Sequence, residues 1–211
     1  MKKKIIIGAR ASKLALIYAE RAKAEILKSQ DVETIEIKSI TTTGDTIKNE
    51  RVSEHGGKGL FCKKIEHELL NNNIDIAVHA LKDMPTDETE GLITNCFLER
   101  SDPREILISD KNKNIKELKK NAIIGTSSYR REFQLKNIRK DFKCKLIRGN
   151  VDTRIKKLND NLYDAIILSY AGIKSLGLED NISQIFSTSE IIPSAGQGVI
   201  ALQCKEGDQQ I

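Results

Sequence analysis

The stretch "AIIGTSSYRREFQL", residues 122–135, runs from apolar residues through a glycine turn into a segment with helical spacing. Two others share its plan, "IIIGARASKLAL" (5–16) and "KLIRGNVDTRIKKL" (145–158). Each has an apolar strand, a Gly turn, Ser or Thr near the helix start, and Arg close by. Alternation of short β-rich runs with 3.6-residue periodicity predicts an α/β chain with mixed or parallel sheets.

Working outward, "KKIIIGA" reads as a strand, "SKLALIYAERAKAEILKSQ" as an amphipathic helix and "TIEIKSITTT" as a strand. "GLFCKKIEHELLNNN" reads as a helix and "IDIAVHAL" as a buried strand that ends at "KDMP". Farther on come the strand "REILISD", a short helix over "NIKELKK", the strand "NAIIGTS" and the helix "SYRREFQLKNIR". The strand "FKCKLIRG", the helix "VDTRIKKLNDN" and a strand-to-helix segment "YDAIILSYAGIKSLG" follow. Pro103 in "ERSDPRE" and Pro193 in "IIPSAGQG" read as stops between blocks. The simplest architecture has two lobes, residues 1–99 plus 194–211 in one and 100–193 in the other, with the chain crossing between them twice. Periodicity alone is also compatible with one continuous sheet.

Composition narrows the function classes. With 211 residues the chain can bury a real core, and no apolar stretch approaches a membrane span. Its 35 basic and 30 acidic residues leave a net charge of +5, and the lysine runs read as solvated surface. No helix-turn-helix, zinc finger or aromatic RNA-binding motif accompanies that charge, so no nucleic-acid partner is expected. Cys62, Cys96, Cys144 and Cys204 are widely spaced, which predicts a reducing, cytoplasmic setting and neither a disulfide scaffold nor a zinc site. His55, His67 and His79 are too far apart for a local metal motif.

The three strand-to-helix turns point to anions. A helix's first turn has free N–H groups and positive dipole character, Gly permits close approach, and Arg offers a planar fork for carboxylate or phosphate. None is a P-loop or a GxGxxG fingerprint, so a ligand with several carboxylates fits better than a nucleotide. A cleft between two lobes would let arginines from both sides meet one extended anion. "HALKDMP" (79–85) delivers Lys82 and Asp83 at a strand end, where a carboxylate beside a cation can move protons or hold an N–H. "GDTIKNERVSEHGGKGLF" (44–61), carrying Lys58, has the composition of a lid.

Taken together, "IGARASKLAL", "TTTGD", "GGKGLF", "DIAVHALKDMP", "GTSSYRR", "RGNVDTR", "AIILSYAGIKSLGL" and "PSAGQGVIAL" resemble the porphobilinogen deaminase (hydroxymethylbilane synthase) family of tetrapyrrole and heme biosynthesis, over nearly the whole chain. The resemblance implies two periplasmic-binding-protein-like lobes with mixed β-sheets flanked by helices. It also implies a cytoplasmic, monomeric transferase that condenses four porphobilinogen molecules onto a dipyrromethane cofactor with loss of ammonia. Arg130 and Arg131 would then grip carboxylates, with Arg10, Arg148 and Arg154 completing the set around Gly149. Ser12, Thr126, Ser127 and Ser128 would add hydroxyl or backbone contacts, and Lys58 would belong to the lid. Lys82 would supply another cation, and Asp83 would hold pyrrole N–H groups and handle protons. No metal, membrane or nucleic acid is implied.

Two departures from the family pattern stand out. Ala80 replaces the usual serine of the His-Ser-x-Lys-Asp motif, which predicts weaker binding. The sequence ends at Ile211, so the family's third, α+β domain, with the Gly-Gly-Cys loop that anchors dipyrromethane, is expected to be absent. None of the four cysteines has that setting. A non-catalytic, two-lobed polycarboxylate-binding fragment is therefore the alternative reading.

Overall fold

The computed structural model describes residues 4–28, 32–46 and 59–211. These form two compact units. The first holds the described residues up to Arg100 together with Val199–Ile211, and the second is Ser101–Gly198.

In the first unit, β1 (Lys4–Arg10), β2 (Thr34–Ile40), β3 (Ile76–Ala80), β4 (Leu92–Phe97) and β10 (Ile200–Lys205) form one sheet in the order β2-β1-β3-β10-β4. β1 pairs in parallel with β2 and β3, whereas β10 runs antiparallel to both β3 and β4. Alternation along β1 explains the layering. Ile5, Ile7 and Ala9 pack with Ala19 and Ala22 of helix α1 (Lys13–Ile26). The other face gathers Ile40, Ala77 and Leu92 with Ile65 and Leu69 of α3 (Gly59–Leu70), with the short α2 (Thr43–Thr46) preceding it.

The second unit repeats this plan. β5 (Glu105–Ser109), β6 (Ile123–Gly125), β7 (Lys143–Lys145), β8 (Ala165–Ser169) and β9 (Gln184–Ile185) adopt the order β7-β6-β8-β5-β9. Here too the parallel pairs lie on one side and the antiparallel pairs on the other. Leu107, Ala165 and Ile167 pack with Leu135 of α4 (Tyr129–Ile138). Ile106, Ile166 and Leu168 pack with Leu158 of α5 (Val151–Asn159) and Ile173 of α6 (Tyr170–Ser175). Position by position, β10 in the first sheet corresponds to β5 in the second: each is the strand laid antiparallel beside the central one. At the edge, β7 exposes Lys143 and Lys145, charges that discourage further strand pairing.

Both sheets are mixed and flanked by helices, as expected. One predicted helix is not formed. Over "NIKELKK" the Asn114 side chain accepts from Lys116 N and Glu117 N, and Glu117 Oε2 accepts from Asn114 N, which starts a helix-like cap. Propagation fails because the Arg139 guanidinium binds the carbonyls of Ile115, Leu118 and Lys119, which further helical turns would have used. Sequence periodicity also passed over β4, β9 and β10. Among the described residues no helix is long and apolar enough to cross a membrane.

Candidate functional site

In the first unit, Arg10 ends β1, and Ser12 caps α1 by accepting from Ala15 N at 3.3 Å. The Arg10 guanidinium is held in two ways. It donates to Asp45, and it lies over the Phe61 ring, 4.1 Å from the centroid, a cation–π arrangement. Asp45 is itself fixed by Thr42, whose N and Oγ1 donate at 3.0 and 2.7 Å. Burial raises the Asp45 carboxyl, but the hydrogen bonds from Arg10 and Thr42 outweigh it and leave it below the ordinary carboxylate range. Gly44 leaves room for this stack, since a Cβ there would sit 2.3 Å from the Phe61 ring. Arg10 Nε is buried and has no partner among the described residues.

Lys82 and Asp83 occupy a 3-10 turn, Leu81–Asp83, at the end of β3. Leu81 N donates to Val199 O at 3.0 Å and Met84 N to Leu81 O at 3.1 Å, which pins the turn. The Cys62 thiol lies 3.6 Å from the Asp83 carbonyl. Arg10, Ser12, Phe61, His79, Ala80 and Asp83 line one cavity within this unit. The Asp83 carboxylate is half-buried and receives no hydrogen bond among the described residues. Lys58 lies outside the described residues.

The second unit carries the remaining predicted residues. Thr126 is buried and its Oγ1 accepts from Ser128 N at 3.2 Å. Ser128 caps α4 by accepting from Arg131 N, and Ser127 is half-buried beside them. Arg130 and Arg131 both meet a carboxylate inside the protein, that of fully buried Glu105. Arg131 clasps it with two bonds, Nε to Oε1 at 3.0 Å and a terminal nitrogen to Oε2 at 2.7 Å, and also donates to Ile167 O at 3.1 Å. Arg130 donates to Glu105 and to Ile192 O. Burial pushes Glu105 up, yet the two guanidiniums hold it below the ordinary range. No motif in the sequence marks Glu105 as this internal occupant. Gly149 has φ +111°, where a side chain would be strained and a Cβ would lie 2.8 Å from Thr153. Its carbonyl accepts from Arg154 Nε at 2.8 Å, and the Arg148 carbonyl accepts from Lys157 at 3.1 Å.

Chemically, the first unit sets a braced guanidinium and a half-buried carboxylate around one cavity. That donor and acceptor set suits a small molecule bearing both carboxylates and N–H groups. Residues 5–211 match the family model described as "Porphobilinogen deaminase, dipyromethane cofactor binding domain".

The chain belongs to the porphobilinogen deaminase family.

It is 44% identical over 212 residues to porphobilinogen deaminase of Bacillus subtilis (strain 168), covering 100% of this chain and 68% of that protein. It is also 44% identical to the enzyme of Chlorobium phaeobacteroides (strain BS1), covering 99% of this chain and 67% of the relative. Among solved structures, a putative methionine-binding lipoprotein from Bacillus subtilis shares the two-unit fold, with a TM-score of 0.57 at 14% identity, covering 98% of this chain and 85% of that one. Membership of the porphobilinogen deaminase family brings transferase activity, the hydroxymethylbilane synthase reaction on porphobilinogen, and the dipyrromethane cofactor.

Sequence reasoning named Arg10, Lys82 and Asp83 but not the residues that brace Arg10. Asp45 and Gly44 stand in the quoted "TTTGD" motif and Phe61 in "GGKGLF". The motifs were visible, whereas their convergence on Arg10 depends on the pairing of β1 with β2 and the return of α3.

Proposed function

We propose that the first unit binds porphobilinogen in the cavity lined by Arg10 and Asp83 and handles the protons of its condensation. The observation that carries this is the half-buried Asp83 carboxylate, unpartnered among the described residues, on the same wall system as a braced Arg10. Arg10 takes a substrate carboxylate, Lys82 adds positive charge, and Asp83 accepts the pyrrole N–H. Each condensation breaks the C–N bond of one porphobilinogen and releases one ammonia, whose third hydrogen is balanced by the proton lost from the attacking pyrrole carbon. Asp83 in its acid form protonates the departing amine, and its carboxylate then recovers a proton from the newly bonded ring carbon, so one group closes the cycle. The carboxylate also offsets the positive charge that develops as the C–N bond breaks.

The dipyrromethane cofactor, when bound, supplies the pyrrole carbon that attacks. Its acetates and propionates fit the guanidiniums present. We assign its carboxylates to Arg130, Arg148 and Arg154, with Thr126, Ser127, Ser128 and the Gly149 turn offering hydroxyl and backbone contacts. Arg131, 7% exposed and clasped to Glu105, holds the α4 mouth in place and lends charge to the same group. We also propose, from the resemblance, a monomer without nucleic-acid or membrane partners. The four free cysteines support a cytoplasmic location.

Calorimetric titration of porphobilinogen tests this reading. Saturable binding to the chain is expected. Ala80 lines the cavity, so Ala80→Ser should tighten binding by about twofold to about thirteenfold, the worth of one net hydrogen bond of about 0.5–1.5 kcal/mol. No binding to the wild-type chain overturns the reading, and unchanged affinity in Ala80→Ser removes the role given to that position.

A further inference from the structure

Three polar side chains are buried together in the first unit: His79 on β3, Gln203 on β10 and Glu66 on α3, at 5%, 1% and 3% exposure. His79 Nε2 lies 3.2 Å from Gln203 Oε1. Gln203 Nε2 donates to Glu66 Oε1 at 3.3 Å, and Thr89 Oγ1 donates to Glu66 Oε2 at 2.9 Å. This chain has one consistent direction. The Glu66 carboxylate accepts at both oxygens, which turns the Gln203 amide N–H toward it and its oxygen toward the histidine. His79 must then donate from Nε2–H, leaving Nδ1 as a bare acceptor.

Nδ1 has no hydrogen-bond partner among the described residues, and His79 lines the cavity that holds Arg10, Ser12 and Asp83. A histidine kept only for packing needs no relay across three elements to fix its tautomer. We propose that His79 is a further substrate-contacting residue of this cavity, its Nδ1 accepting a hydrogen bond from an N–H group of porphobilinogen. The proposal rests on the reading of the cavity as the porphobilinogen site.

The electrostatics agree with that geometry. The charged groups that act on the imidazole are Arg10 from β1 and Asp83 from the turn after β3, with Glu66 of α3 reached through Gln203 and Asp45 paired to Arg10. Burial lowers the His79 pKa, with Arg10 adding to the effect and Gln203 and Asp83 opposing it, to about 4. The ring is therefore neutral at physiological pH. A neutral acceptor selects N–H donors over the substrate's carboxylates, which leaves those to Arg10, and it does not repel the methylene carbon as that carbon becomes electron-poor.

Long-range proton–nitrogen NMR of the 15N-labelled chain, with porphobilinogen as the added probe, tests this. The sequence has three histidines, and a His79→Asn sample assigns the relevant signals. At neutral pH the free protein should show the Nε2–H tautomer at His79, with titration only below about pH 5. Saturating porphobilinogen should move Nδ1 upfield, while exposed His67 stays unchanged. An Nδ1–H tautomer, or an unmoved Nδ1 when calorimetry shows the site filled, overturns the proposal. Failure of porphobilinogen to bind at all fells the functional reading first, and the proposal with it.

Discussion

Asp83→Asn is expected to reduce porphobilinogen turnover by about 10²- to 10⁴-fold, the range for losing a general acid–base group. Asparagine keeps the size of the side chain and an oxygen for the pyrrole N–H, but it cannot give up and recover a proton. The fold should be indifferent, because the carboxylate receives no hydrogen bond among the described residues and the turn is pinned by the backbones of Leu81, Met84 and Val199. The check is ammonia release from porphobilinogen by the cofactor-loaded protein, with the thermal midpoint measured alongside. Unchanged turnover would remove Asp83 from the proton path. Equal loss of turnover and of thermal midpoint would instead make it a structural residue.

Glu105→Gln is expected to destabilise the second unit by about 3–5 kcal/mol, the usual cost of stripping one partner from a buried ion pair. The site explains the size of the effect. Glu105 is fully buried and answers two guanidiniums, one of them 7% exposed, so a neutral amide leaves both without compensation. The pH dependence follows from the depressed carboxyl. Its stabilising contribution is complete above the unfolded-state value near 4.3, and it is lost as pH falls through the lower folded-state value. Denaturant unfolding of the wild type should therefore weaken as pH falls below the unfolded-state value, and Glu105→Gln should flatten that limb. A variant with wild-type stability at pH 7 would show that the arginines find other partners.

These effects rest on features that were unequally legible in the sequence. The three strand–Gly–helix turns were readable because their signals are local: apolar runs, a glycine, a capping hydroxyl. The mixed character of the sheets was harder to see, since it depends on β10, six residues that insert between β3 and β4 more than a hundred residues after them. β4 is short, half-polar and partly exposed, so it carries weak alternation. The "NIKELKK" segment misled because its spacing is helical, while the guanidinium that stops it comes from Arg139, distant in sequence.

The site divides in the same way. Arg10, Asp83, Arg130 and Arg131 could be named from motifs, but what each arginine faces could not. Glu105 sits in "REILISD", read simply as a strand, and only the long-range packing of that strand against α4 gives its fully buried carboxylate two arginine partners. His79 likewise looked like one polar residue in a buried strand, and only the return of β10 shows the relay that Gln203 completes.

The most direct test is a crystal structure of the chain soaked with porphobilinogen. The account predicts a substrate carboxylate on the Arg10 guanidinium and the pyrrole nitrogen within hydrogen-bond reach of the Asp83 carboxylate. Substrate bound elsewhere, with Arg10 still engaged only by Asp45 and Phe61, would contradict it.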